Sequence, residues 1–283
     1  MGPLLLVVAE SDPVAVPVAA RWGTPPATGD HVDGAPIRRL APGTLLLRRP
    51  GPHIHDERLD RRLPRGVRDD RPTLVFPSIH RSEQNVASLT VHPLGNPGPT
   101  ADVGGEPGRL VPTDPARMAA ALRALAEGAA GLGLSATFEA THHGPALDVR
   151  AFFVEIGYGT DAAPPEGAVA LLARVLPDLA ASGDDRVALA IGGGHYAPHF
   201  TDLVLSRRWA VGHILSRHAL EVADRSVVAA AWDGTPGAAG ILYARAADAE
   251  RPNVAGIAGR LRDGDAPPRP GSPTPAGRST SGT

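Results

Sequence analysis

A chain of 283 residues makes one large domain or two small ones, and it is long enough to bury a real core. It contains no cysteine, which excludes disulfides, thiolate metal sites and cysteine catalysis and leaves His, Asp and Glu to hold any metal. It contains no lysine either, so the 28 basic residues behind its formal charge of −2 are all arginines, and Schiff-base and Walker lysines are excluded.

The opening MGPLLLVVAESD is apolar for too few residues, and lacks the basic start, to be a signal peptide. It reads as a first strand. No apolar run reaches membrane-spanning length, so the expectation is a cytoplasmic protein without membrane contact. Leu4 to Ala9 is a continuous apolar run, as in a central parallel strand, and Ser11-Asp12-Pro13 opens a helix. Residues 23–36 are rich in Gly, Pro and polar residues and read as loop, and Thr44 to Leu47 as a strand. Arginines are dense from Arg38 to Arg81, opposed by Asp56, Glu57, Asp60, Asp69 and Asp70. Such a segment is either a solvated, salt-bridged surface or a face that contacts nucleic-acid phosphates.

Thr73 to Phe76 is a predicted strand, with Pro77 to Ser82 leaving its carboxyl end. Ser88 to His92 alternates as a second. His80 and His92 therefore fall at strand ends. Thr113-Asp114-Pro115 caps a helix that fades at Gly128 or Gly131. Leu134 to Thr141 is a strand closed by His142-His143-Gly144-Pro145. Adjacent histidines on an extended chain point opposite ways, so at most one of these is expected to face a site. Phe152 to Gly157 is a strand carrying Glu155, which either faces solvent or, if buried, needs a metal, a histidine or an arginine beside it. Pro164 to Leu176 is an amphipathic helix.

Val187 to Ile191 is a short apolar strand that runs into Gly192-Gly193-Gly194-His195. A loop stripped of side chains lets a ligand approach the backbone and can aim N–H groups at an anion; it can equally be a tight strand-to-helix connection. It has neither GxGxxG spacing nor a following GK[ST]. Ala210 to Leu215 carries His213, Ser226 to Trp232 is helical, Ile241 to Ala244 is a strand and Pro252 to Arg262 is the last predicted helix. Residues 264–283 are rich in Pro, Gly and Ser and read as a disordered tail, which leaves 1–263 as a single α/β domain with a mixed, mainly parallel sheet. His80, His92, His142, His143, His195 and His213 gather at predicted strand ends and favour one polar site at one edge of that sheet.

Together these motifs resemble the D-aminoacyl-tRNA deacylases of the archaeal and plant type. The matching segments are Ser78-Ile79-His80-Arg81-Ser82, Leu89 to His92 with Gly95-Asn96, Glu139 to Pro145, Phe153 to Gly157, Ile191 to Pro198 and Gly212 to Leu215, in the family's order. EATHHGP and IGGGHYAP are the specific ones. The chain departs from the family in having His199, Ser216-Arg217-His218 and Trp232-Asp233-Gly234 where the family tends to carry lysine. The resemblance implies a three-layer α/β fold similar to phosphorylases and peptidyl-tRNA hydrolases, hydrolysis of the ester of D-aminoacyl-tRNA, dependence on zinc, and a monomer. It implies His80, His92 and His195 as metal ligands and His142, His143 and Glu155 as catalytic groups. Ser78, Arg81, Asn96, Gly192, Gly193, Gly194 and His213 would bind substrate, with RNA contact through the arginines between Arg38 and Arg81. A phosphorylase-like enzyme that cradles phosphate on Gly192 to Gly194, and a tRNA-binding protein without catalysis, are the alternatives.

Overall fold

The structure, a computed structural model, describes residues 2–81, 87–159, 162–180, 183, 185–206, 208–255 and 257. Ser82, the tail after residue 263 and most of the helix expected over Pro252 to Arg262 lie outside them; the part of that helix that is described, 252–255, is turn. The elements in chain order are β1 (Leu4–Ala9), α1 (Ala15–Ala20), β2 (Ala27–Val32), β3 (Ala35–Ala41), β4 (Thr44–Arg49), α2 (Leu59–Arg62), α3 (Arg65–Asp69), β5 (Thr73–His80), β6 (Ser88–Pro93), α4 (Pro115–Ala129), β7 (Ser135–Phe138), β8 (Ala151–Gly157), α5 (Glu166–Val175), β9 (Arg186–Ile191), α6 (Pro198–Leu205), β10 (Trp209–Leu215), α7 (Arg217–Val222), α8 (Arg225–Asp233) and β11 (Ala238–Tyr243).

The large sheet runs in the order β2-β3-β4-β1-β5-β8-β6-β7, and a small parallel sheet runs β10-β9-β11. Parallel pairing joins β4, β1, β5 and β8, while β6 runs antiparallel to β8. β1 is buried at all six positions, as its unbroken apolar sequence requires for a strand covered on both faces. Helices α1 and α5 pack on one another and α1 on β1 and β5, while α4 reaches β6, β7 and β10 and so ties the two sheets together. The outcome is a three-layer α/β arrangement with a mixed, mainly parallel sheet.

Two local expectations are corrected. Residues 23–36 are not all loop: β2 and β3 form an edge hairpin around Asp33-Gly34, both with positive φ (49° and 83°). An Asp-Gly pair is the residue choice for a tight hairpin turn, and the surrounding Gly and Pro masked it. Strand β5 also continues through Pro77 to His80. Proline is tolerated there because pairing with β1 ends at Val75, so the missing N–H costs no bond on that side.

Register decides which side chains share a face. Ser78 lies beside Glu155, and Glu155 beside Thr90; one step earlier Phe76 lies beside Phe153, and Phe153 beside His92. Side chains two apart on a strand point the same way, so Phe76, Ser78, His80, Phe153, Glu155 and His92 all project from one face.

Candidate active site

A cavity of about 610 Å3 opens over this face. Its walls include Ser11, Asp12 and Pro13 after β1, Ser78 to Arg81 on and after β5, and Glu155 on β8. His53 and Ile54 come from the turn after β4, His142 and His143 from the loop after β7, and His195 from the loop after β9. Carboxyl ends of parallel strands are where open α/β sheets place ligands, and the volume is that of a small-molecule site.

Phe153 is the pedestal. The rings of His53, His92 and His143 lie 5.1, 5.0 and 4.9 Å from its centroid, and Phe76 stacks beneath it at 5.0 Å. His92, His142 and His143 form one group, each with a ring nitrogen within 4.8 Å of the others. Each of these rings donates its Nδ1–H to a backbone carbonyl: His92 to Pro93 (3.2 Å), His142 to Ala140 (2.8 Å) and His143 to Gly144 (2.9 Å). Those bonds place a proton on Nδ1 of each ring and turn Nε2 into the cavity, which is how metal-ligating histidines are held. Nε2 of His142 and His143 keeps its lone pair, while on His92 the Glu155 carboxylate favours a proton there that a cation would have to displace. Both adjacent histidines therefore face the site, against the expectation of one. The chain is not extended there: His143 has φ 41°, a left-handed conformation that folds its ring back beside that of His142 at 4.4 Å.

A second group consists of His80, Glu139 and His195. Glu139 is completely buried, and both of its oxygens lack a hydrogen-bond partner. His80 Nδ1, His195 Nε2 and His142 Nε2 lie 3.1, 3.3 and 3.6 Å from them. His80 Nε2 is bonded to the Tyr196 hydroxyl at 2.8 Å. Glu155, also buried, approaches His80 Nδ1 at 3.4 Å and His92 Nε2 at 3.7 Å, so its solvent-facing reading is excluded. A third group joins His92 to Glu139 and Glu155, so of the expected set His80 and His195 fall together and His92 falls in the other groups.

The charge balance follows from these contacts. Burial opposes ionisation of Glu155, but His80 and His92 outweigh it and hold its pKa well below the usual carboxylate range. The same carboxylate, with Glu139, lifts His80 and His92 above the ordinary imidazole value despite their burial. Burial and the neighbouring histidines push His142 well down and His143 down to about 4, so both are neutral and able to ligate. A fully buried carboxylate whose oxygens have no hydrogen bond, with the neutral His142 ring among the three imidazoles around it, is a costly arrangement that a divalent cation would satisfy. The residues present fit such an ion.

The other expected residues divide. Ser78 lies in the cavity wall, donating to Asp12 Oδ2 and bonded to His53 Nε2, both at 3.0 Å. Asp12 also accepts from the Val14, Ala15 and Ile79 amides. It therefore caps α1 and fixes the end of β5 at once. Arg81 is an exposed lining residue. Asn96 holds the Gly104 carbonyl at 2.8 Å, next to Val103 at the mouth, and acts on the wall rather than in it. His213 is buried away from the cavity, bonded to Thr141 Oγ1 at 3.1 Å. Gly192 to Gly194 do not line the cavity; they form the turn that delivers His195. Sequence reasoning missed His53, Asp12 and Tyr196 as site residues, and used Glu139 only as part of a motif.

The arginine-rich segment is ion-paired at Arg49, Arg58, Arg61, Arg62 and Arg65. Arg49 meets Asp33 and Asp56, each at 2.7 Å, and Arg62 meets the same two carboxylates. Arg58 and Arg61 meet Asp148, and Arg65 meets Asp69. Among the described residues, no helix is long and apolar enough to cross a membrane.

A family model described as D-aminoacyl-tRNA deacylase matches residues 68–261. Curated D-aminoacyl-tRNA deacylases from Thermoplasma acidophilum and Thermoplasma volcanium are 37% and 36% identical, covering 61% and 60% of this chain and 67% and 66% of theirs. One from Methanosphaerula palustris is 38% identical over 76% of this chain but only 47% of its own length, so the chain spans between about half and two thirds of these relatives. The crystal structure of a conserved protein of unknown function has a TM-score of 0.78 at 25% identity, covering 91% of this chain and 93% of that one. By the extent of the family match and the order of its motifs, the chain belongs to the D-aminoacyl-tRNA deacylase family.

Proposed function

We propose that this chain hydrolyses the ester joining a D-amino acid to the terminal ribose of tRNA, as a monomer in the cytoplasm. The observation that carries the reading is the cluster of His92, His142 and His143, each ring oriented by a backbone carbonyl, beside the buried, unbonded Glu139 carboxylate. Those histidines would hold a zinc ion, with the Glu139 carboxylate beside it. When bound, zinc supplies Lewis-acid polarisation of an ester carbonyl and acidifies water towards neutral pH.

The chain's own groups do the rest. Glu155, held as a carboxylate, anchors His80 and His92 in orientation. His195 is half exposed at the cavity with Glu139 behind its Nε2, the placement of a base that takes a proton from water and returns it to the departing ribose oxygen. Ser78, fixed between Asp12 and His53, and Arg81 at the mouth are proposed substrate contacts. The side of the cavity formed by Pro13, Ile54 and Val103 is apolar and suits a variable side chain. Gly192 to Gly194 position His195, while a phosphate cradle there is disfavoured because the Gly192 amide is committed to the Leu215 carbonyl at 2.8 Å.

The test compares D- and L-tyrosyl-tRNA as substrates, with and without a chelator. Cleavage of the D ester alone, lost on chelation and restored by zinc, is expected. Comparable cleavage of both esters, or none of either, would overturn the assignment.

A further inference from the structure

Glu10 lines a second concavity, of about 260 Å3, and the next residue, Ser11, lines the histidine cavity. Pro50 and Pro52 divide between the two hollows in the same way. They are therefore neighbours across a narrow ridge at the carboxyl ends of β1 and β4. In the second hollow Arg38 lies opposite Leu46 in the β3–β4 ladder, and Arg48 is two residues beyond Leu46, so both guanidiniums rise from the same face.

Both arginines are half-buried. Arg38 donates from Nη1 to the Pro25 carbonyl at 2.8 Å, and Arg48 Nη2 lies 3.5 Å from the Ala19 carbonyl. Among the described residues neither has a carboxylate in ion-pair reach, unlike Arg49, Arg58, Arg61, Arg62 and Arg65. Glu10 is the acidic group of the lining and pairs with neither. A guanidinium partly withdrawn from water and lacking an anion is uncompensated, and its planar fork matches phosphate oxygens bidentately.

We propose that this hollow is a subsite for a phosphodiester of the single-stranded acceptor end of tRNA, occupied while the terminal nucleoside and its ester sit in the histidine cavity next door. The proposal rests on the deacylase reading and narrows RNA contact, within a segment whose other arginines are mostly neutralised, to Arg38 and Arg48.

The experiment measures KM and kcat for D-tyrosyl-tRNA, and binding of uncharged tRNA, as a function of salt. Arg38→Gln/Arg48→Gln keeps a donor for the two backbone carbonyls while removing both charges. It is expected to raise KM, leave kcat in place and flatten the salt dependence. With a slope of about 0.7 per neutralised phosphate, loss of this one phosphodiester contact makes the parent's loss of affinity between roughly 50 and 200 mM salt about 2.6-fold larger than the variant's. Arg61→Ala/Arg62→Ala keeps the parent slope, and Glu10→Gln, which leaves both arginines in place, lowers KM. An unchanged KM and salt slope in the double variant, or no gain from Glu10→Gln, would overturn the subsite. Should the parent bind uncharged tRNA with an Arg38/Arg48-dependent slope yet cleave no D-aminoacyl ester, the deacylase reading falls and the phosphate subsite stands.

Discussion

Alanine placed in turn at Gly192, Gly193 and Gly194 separates three effects that coincide in the sequence. Gly194 has no left-handed φ, and a Cβ there would meet nothing closer than the Tyr196 carbonyl oxygen at 3.6 Å. Gly194→Ala should therefore be neutral or stabilising by up to about 1 kcal/mol, through loss of unfolded-state entropy. Gly193 has φ +82° with nothing within 4.0 Å of its Cβ position except the edges of Ala244 and Phe200. Gly193→Ala should cost the left-handed penalty alone, about 1–2 kcal/mol. Gly192 has φ +99°, and its Cβ would fall 2.3 Å from Asp248 Oδ2. Asp248 is buried, accepts the Arg245 amide at 3.1 Å and lies 3.3 and 3.4 Å from the Arg245 and Arg251 guanidiniums. Moving it adds about 1–3 kcal/mol for disturbed buried bonds, so Gly192→Ala should lose about 2–5 kcal/mol in all. Urea denaturation at constant m-value reads the series. A Gly193→Ala variant as unstable as Gly192→Ala would refute the Asp248 argument. Deacylation by the stable Gly194→Ala variant, measured alongside, separates substrate contact from structure: loss of activity without loss of stability would put that backbone at the substrate.

Three further outcomes are expected. Glu139→Gln, His142→Ala and His143→Ala should each lower zinc content and reduce kcat/KM about 100-fold or more, and normal zinc content with normal turnover would remove the altered residue from the site. Arg49→Ala should lose about 1–3 kcal/mol, from the buried gap it leaves and its lost hydrogen bonds, since Asp33 and Asp56 both keep Arg62 as a partner, whereas Arg65→Ala on the exposed surface should stay within about 0.5 kcal/mol, both read by melting. Burial pushes His213 down to about 3, so between that value and the unfolded one the unfolded chain binds more protons and stability falls on acidification; its share reaches about 2 kcal/mol at pH 5, and His213→Asn should flatten the acid limb although it is less stable at neutral pH.

The parts of the fold that were legible in the sequence are those whose pattern is local. β1, β8 and β9 are apolar runs ended by turn residues, and Asp114 caps α4 as its Thr-Asp-Pro start implies, accepting the Arg117 amide. The β2–β3 hairpin was hidden because its strand residues, Val32 and Ile37 apart, are exposed or half-exposed at a sheet edge, so no apolar alternation marks them. The reach of β5 to His80 depended on where its pairing with β1 stopped, a long-range fact that Pro77 alone obscures. α2, α3, α6 and α7 have 4, 5, 8 and 6 residues, too short for a helical period to stand out.

The site was legible in its residue types and not in its grouping. A histidine at a strand end signals a polar face, but which histidines meet is set by register between strands distant in sequence. His92 joins His142 and His143 because β6 lies antiparallel to β8 and sets His92 beside Phe153, on which the His143 ring also rests. His80 joins His195 because Glu139 forms an isolated bridge with Tyr196, and the Ala140 amide bonds the His195 carbonyl at 2.8 Å, stitching the loop after β7 to the loop after β9. The glycines that dominate the sequence there act one step back: Gly192 clears room for Asp248, and the turn carries His195 to the carboxylate. Glu139, which lies close to His80, His142 and His195 together, sits in the sequence as an ordinary polar residue at the end of a short strand. Its role follows from complete burial without a hydrogen bond, a property that no spacing of residues encodes.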